Sequence, residues 1–178
     1  MIKLEFVEVL TQRRSVRAYK PQPVEESKLK RLFDAANMAP SAGNLQAYKV
    51  QVVRDQAKKD ALAKAAHDQG FISQAPVCLV FCADPDRSAA KYGKRGTELY
   101  SMQDATIAGT FAMLAAVDLG LATVWVGEFD EKKVQQALGL KSVRPVAMFS
   151  LGYAAEQPEA SPRRALEEIF QGDFPQTD

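Results

Sequence analysis

Residues 98–128, ELYSMQDATIAGTFAMLAAVDLGLATVWVGE, decide how the rest of the chain is arranged. No charge falls between Ala105 and Val117. Apolar or small residues (Ile107, Ala108, Gly109, Phe111, Ala112, Met113, Leu114) occupy nearly every side of a helix drawn through them, whereas a surface helix keeps a polar face. Gly120 ends the run and the compact apolar segment TVWV follows, which reads as a buried helix, a turn and a buried strand. Such a helix needs cover all round. Either the layers of its own domain enclose it, or a second subunit, most simply an identical chain, supplies part of the cover. Gly109 and its neighbouring alanines leave room for another backbone to come close.

The 178-residue chain is long enough for one domain with a sizeable core, and 47% hydrophobic with 25% charged residues fits an ordinary folded protein. A formal net charge of +1 supplies no global field to recruit nucleic acid, although local basic clusters still suit a small anion. The longest uncharged stretches contain polar residues or are too short to cross a bilayer, and MIKLEFVEVL carries acids where a signal peptide needs an apolar run. The expectation is a cytoplasmic protein with no membrane partner. Cys78 and Cys82 lie four apart in VCLVFCA and point to one face of a strand, so they read as buried thiols. The one histidine, His67, has no second His or Cys nearby, and no metal site is expected.

Residues 3–12 form a short amphipathic helix that runs into RRSVRAY, where Arg13, Arg14 and Arg17 surround Ser15. Forked guanidinium donors beside a hydroxyl match phosphate oxygens, and the same cluster also suits a solvated face or ion pairs with nearby glutamates. Residues 24–38 form a second amphipathic helix stopped by Pro40, and Pro40, Ser41, Ala42, Gly43 and Asn44 make a turn of small residues that a flat ligand could approach closely. A strand at 49–54, an exposed helix at 56–67, a strand at 77–83 and a polar loop or short lid at 84–97 follow. After the central helix and strand come a helix at 131–138 capped by Asp130, a core strand at 146–153 and a patterned tail, 154–178, carrying Arg163, Arg164 and LEEIF. No repeat or linker divides residues 1–178, so a single domain is expected. Helices alternating with strands would normally indicate a parallel α/β sheet. No Gly-rich phosphate loop follows any strand, so a bound nucleotide would depend on arginine side chains.

Five segments in this order, RRSVRAY, MAPSAGNLQAYKV, ISQAPV, the Ala-rich helix running into TVWVGEFDE, and SPRRALEEIF, resemble the nitroreductase family of FMN-dependent oxidoreductases and cover about Val7 to Phe170. The resemblance implies an α+β fold with a mixed, largely antiparallel sheet flanked by helices, assembled as an intertwined homodimer whose tails embrace the partner. It implies FMN as cofactor, NADH or NADPH as donor, and ping-pong two-electron reduction of a nitroaromatic, quinone or similar small-molecule acceptor. Other flavin chemistry, such as reductive dehalogenation or flavin breakdown, and a non-catalytic FMN-binding dimer share the same residues. By the resemblance, Arg13, Ser15 and Arg163 hold phosphate, Arg14 between them contacts ribityl or phosphate, and Arg164 is a neighbour of Arg163. Arg17 lies at the flavin N1 and O2 edge. Pro40, Ser41, Ala42, Gly43 and Asn44 are laid beside the flavin by the opposite subunit, and Gln69 makes a polar contact to the ring. Trp125, Val126, Gly127 and Glu128 present backbone N–H to flavin N5. No side chain need act as nucleophile, and the acceptor pocket falls in 84–100, where Tyr92, Arg95 and Tyr100 are candidates.

Overall fold

The computed structural model describes residues 5–172, so the start of the first expected helix and the end of the expected tail lie outside the described residues. In chain order the elements are α1 (Phe6–Gln12), α2 (Glu26–Asn37), β1 (Tyr48–Val53), α3 (Gln56–Ala65), α4 (Phe71–Gln74), β2 (Val77–Ala83), α5 (Pro85–Arg95), α6 (Ser101–Asp118), β3 (Ala122–Val126), α7 (Glu131–Leu138) and β4 (Arg144–Gly152). The four strands make one sheet in the order β1-β2-β4-β3, with every neighbouring pair antiparallel. An isolated parallel bridge between Ser15 and Thr123 makes the sheet mixed. The parallel sheet suggested by simple alternation is not formed, and the α+β arrangement implied by the family resemblance is.

Two-residue alternation along β2 and β4 sorts the core into two layers. Leu79, Phe81, Phe149 and Leu151 join α2 and α6 on one face. Cys78, Val80, Cys82 and Met148 join α3 and α7 on the other. Every residue of β2 is therefore buried. Both cysteines are free and buried, and burial pushes each thiol up to about 12. Helix α3 is not the exposed helix expected from its lysines: Leu62, Ala63, Ala65 and Ala66 are buried, and even Lys59 is, its ammonium donating to the carbonyls of Ala75 at 2.7 Å and Ser73 at 3.2 Å.

Local chemistry sets the helix ends. Asp55, Asp84 and Asp130 each accept a backbone N–H in the first turn of the helix that follows, from Lys58, Arg87 and Lys133 respectively. Asp84 with Pro85 at the first helical position turns 85–95 into α5, which corrects the expected loop or lid. A π-helical turn, Gly96–Tyr100, then leads into α6. Gly96 is required there, because a Cβ would lie 2.5 Å from the Ser88 carbonyl oxygen.

Helix α6 buries Ala105, Ala108, Gly109, Ala112 and Ala116 against the sheet. Gly109 admits the side chains of Phe149 and Trp125, which a Cβ would meet at 3.1 and 3.4 Å, rather than a second backbone. Its outer face carries exposed apolar side chains among the described residues: Phe111 is 38% exposed, and Phe6 and Val7 of neighbouring α1 are each 66% exposed. Among the described residues, the helix is thus not enclosed all round by its own layers. No helix among the described residues is long and apolar enough to cross a membrane.

Candidate functional site

The segment after α1 is laid along the β3 edge. Val16 N–H donates to the Thr123 carbonyl at 3.1 Å, Lys20 N–H to that of Tyr153 at 2.9 Å, and Ala155 N–H to that of Ala18 at 2.9 Å. Arg17 N–H donates to the Glu156 carboxylate at 2.5 Å. These bonds hold residues 15–20 between β3 and the chain leaving β4. They thereby bring Arg13, Arg14, Ser15 and Arg17 together with Ser161 and Arg163 around a cavity of about 470 Å³.

Four guanidiniums line this cavity with one carboxylate, Glu159. Burial, then the positive charges of Arg163 and Arg14, hold the Arg13 guanidinium below its ordinary range. Like charges held together in this way are short of an anion. Arg14 is oriented by its Nη1, which donates to the carbonyls of Thr11 at 2.7 Å and Arg13 at 2.9 Å. The Arg17 guanidinium carbon lies 6.0 Å from the centre of the Phe71 ring. The donor set fits a phosphate group, whose oxygens accept forked guanidinium and hydroxyl donors. Arg164 stands apart: its Nε pairs with the Glu168 carboxylate at 3.0 Å, and it does not line the cavity.

Pro40, Ser41 and Ala42 line a different cavity of about 610 Å³ with Tyr100, Asp104 and Ile107. Their loop leads into β1, at the opposite edge of the sheet from β3, and three strand spacings put the two edges about 14 Å apart. Gly43, Asn44 and Gln46 all have positive φ, between 49° and 56°, a conformation rare outside glycine. Asp104 at the head of α6 fixes it. Its carboxylate, 2% exposed, accepts the N–H of Ala42 at 2.9 Å and of Ala47 at 3.2 Å, while Ser41 Oγ accepts the N–H of Gln46 at 2.9 Å. Above the loop, Tyr92 and Lys91 of α5 converge on Gly43, where a Cβ would fall 2.3 Å from the phenol oxygen and 2.7 Å from the ammonium. Asp104 was not picked out from the sequence. The available signal was a lone carboxylate one residue ahead of an uncharged helix.

Trp125 and Val126 lie at the end of β3 and Gly127 and Glu128 just beyond it, on the sheet edge that also carries Ser15. Trp125 stacks at 5.0 Å on Phe149 and Val126 is buried, whereas Gly127 and Glu128 are exposed. Gln69 lines neither cavity; it accompanies Phe71, whose ring faces Arg17. His67 is exposed. Apart from Gln69 and Arg164, the expected residues therefore fall into two groups, one at each edge of the sheet.

The model of the nitroreductase family matches residues 10–73 and 67–153. An NADH dehydrogenase of Thermus thermophilus is 33% identical, the match covering 88% of this chain and 90% of that protein. An FMN reductase [NAD(P)H] of Bacillus subtilis is also 33% identical, over 93% of this chain and 72% of its own length. Among solved structures, the NADPH:FMN oxidoreductase from Vibrio harveyi complexed with NAD+ superposes with a TM-score of 0.87 at 26% identity, covering 97% of this chain and 78% of that one. With this sheet order, these helical layers and these matches, the chain belongs to the nitroreductase family.

Proposed function

We propose that the chain is an FMN-dependent NAD(P)H oxidoreductase that works as a homodimer. The observation that carries the reading is the cavity in which Arg13, Arg14, Ser15, Arg17 and Arg163 converge with so little negative charge of their own. Arg13, Arg14, Ser15 and Arg163 hold the phosphate, with Arg164 as an outlying cation. Arg17 would place positive charge toward the N1 and O2 edge of the ring, where it would favour the reduced, more negative flavin. Trp125, Val126, Gly127 and Glu128 would offer backbone N–H to N5 from the same sheet edge, and Gln69 would add a polar group near Phe71. The chemistry supplied by FMN when bound is two-electron exchange with NADH or NADPH and then, in a separate half-reaction, with a nitroaromatic, quinone or similar acceptor. The chain itself contributes position, charge and exclusion of water.

The loop Pro40–Asn44 stands at the far sheet edge from the arginines, so in this reading it serves the cavity of a second copy. The uncovered apolar face of α1 and α6, including Phe6, Val7 and Phe111, supports that pairing. Leu166, Ile169 and Phe170 of the 154–178 tail, each at least 50% exposed, supply further apolar surface for the partner. Residues 1–178 act as one domain, since helices on both faces share one sheet. A cytoplasmic location suits the two free thiols and a nicotinamide donor.

The test is the absorbance of the purified protein followed anaerobically while NADH and then NADPH are added, together with its mass by sedimentation. A flavin spectrum that bleaches in a particle of twice the chain mass is expected. A protein that neither carries nor takes up FMN overturns the reading.

A further inference from the structure

The stretch from Pro85 to Tyr100 carries four cations, Arg87, Lys91, Lys94 and Arg95, against two carboxylates, Asp86 and Glu98, in a chain whose formal net charge is only +1. Two of the cations are already engaged: Arg87 donates to the Leu45 carbonyl and Lys94 pairs with Glu98 at 3.7 Å. Lys91 and Arg95 have no carboxylate partner among the described residues. Both are instead held against tyrosines. The Lys91 ammonium lies 5.4 Å from the centre of the Tyr92 ring. Arg95 Nε donates to the Tyr100 hydroxyl at 2.8 Å, with its guanidinium carbon 5.3 Å from the centre of that ring.

Tyr92 and Tyr100 meet edge to face at 5.1 Å, so the two cations ride on one continuous aromatic wall. Tyr100 turns into the cavity that Pro40, Ser41 and Ala42 also line, and Lys91 and Tyr92 overhang Gly43 in the same loop. The cavity's other lining residues include Leu99, Met102 and Ile107, a surface that accepts a flat apolar ring. Tyr92 belongs to α5, and Tyr100 ends the π-helical turn Gly96–Tyr100, a distortion often found at functional sites.

The geometry points to Lys91 and Arg95 as the residues that select an anionic substituent on a flat aromatic acceptor lodged between Tyr100 and the Pro40–Ala42 loop. This assignment rests on the oxidoreductase reading for the word acceptor. The recognition itself is a matter of charge and shape: a ring lies against the apolar lining while its carboxylate reaches cations that are exposed, without a carboxylate partner among the described residues and steered by tyrosines. A neutral ring of the same size gains the packing alone.

The experiment compares 4-nitrobenzoate with 4-nitrobenzamide, matched in shape and different in charge, by calorimetric titration of the FMN-loaded protein and of its Lys91→Gln/Arg95→Gln and Tyr100→Phe variants. Circular dichroism and melting temperature establish that the variants fold. The unaltered protein is expected to prefer the carboxylate, and the double variant to lose about fivefold of that preference, the scale of exposed charge pairs. Tyr100→Phe, which frees Arg95 from its steering hydroxyl, loses a smaller part in the same direction. An unchanged preference in the double variant overturns the assignment. So does a loss confined to the preference between NADPH and NADH, which would give these charges to the donor's 2′-phosphate. Anaerobic bleaching by NADH is recorded on the same samples: if it fails while the carboxylate preference follows the variants, the redox reading falls and the charge selection stands.

Discussion

The buried carboxylate of Asp104 accepts the backbone N–H of Ala42 at 2.9 Å, tying the first turn of α6 to a loop more than sixty residues earlier in the chain. The second oxygen takes the N–H of Ala47 at 3.2 Å. The positive φ values of Gly43, Asn44 and Gln46 are therefore held from both sides. Asp104→Asn keeps the shape but turns an NH2 group toward one of these donors. The expected loss is about 1–3 kcal/mol of stability, the cost of a buried polar group left unsatisfied. Urea unfolding measures it, and hydrogen exchange at Ala42 and Ala47 should quicken more than in the β2 core. Unaltered exchange at both amides would remove the clamp.

Arg13→Ala separates binding from folding. Removal of one guanidinium should weaken FMN about ten- to a hundredfold, because a charge-assisted contact contributes about 1.5–3 kcal/mol. The free protein should lose little, since Arg13 sits among the like charges of Arg163 and Arg14. Fluorescence titration of FMN reads the first effect and thermal melting the second. A variant that binds FMN as before refutes the phosphate role of Arg13.

Alkali should destabilise the fold through Cys78 and Cys82. Burial raises both thiols from an ordinary 9.0 to about 12, so their contribution is fully present below pH 9. Above that the unfolded chain loses protons that the folded one keeps, and stability falls until the pH passes the folded values. The slope is at most about 1.4 kcal/mol per pH unit for each thiol. Melting temperatures between pH 8 and pH 11 should fall less steeply in Cys82→Ala, whatever its stability at pH 8. An equal slope would discount that thiol.

Two glycines make a contrasting pair. At Gly96 a Cβ would meet backbone, the Ser88 carbonyl oxygen and carbon at 2.5 and 2.7 Å, and Gly96→Ala should cost about 1–3 kcal/mol. At Gly70, with φ −59° and open space around the site, Gly70→Ala should stabilise by about 0.4–1 kcal/mol through the unfolded chain. Denaturant midpoints decide both, and a reversed order would contradict the crossing of α5 with its π-helical extension.

What could be read without coordinates was local chemistry and pattern. The alternation in VCLVFCA placed Cys78 and Cys82 on one face, and Asp130 with Gly139 bounded α7, because each signal lies within a few residues of its effect. Strand direction was not legible by the same means, since alternation of helices and strands is common to parallel and antiparallel sheets; the family resemblance supplied it. Helix α5 was missed because Gly93 and Gly96 masked the stronger pair Asp84 and Pro85. Lys59 falls in the helix expected to be exposed, although its long stem lets the ammonium reach two carbonyls at the C-terminal end of α4. The arginine cluster was visible as composition, but Arg163 reaches the same cavity only because tertiary hydrogen bonds lay residues 16–20 against β3 and the chain leaving β4. Asp104 lay hidden because a single carboxylate has no local signature.

The bond from Arg17 N–H to Glu156 spans 139 residues of sequence, and it sits at the seam where the two walls of the arginine cavity meet. During synthesis the wall bearing Arg13 leaves the ribosome early, with nothing opposite it until the segment bearing Arg163 has been made. Because β2 pairs with β4, which ends at Gly152, the sheet and the arginine cavity are both completed only by this late part of the chain. Damage that clips the stretch after β4 should leave a folded but cofactor-poor species, one that quality control based on exposed core would pass over.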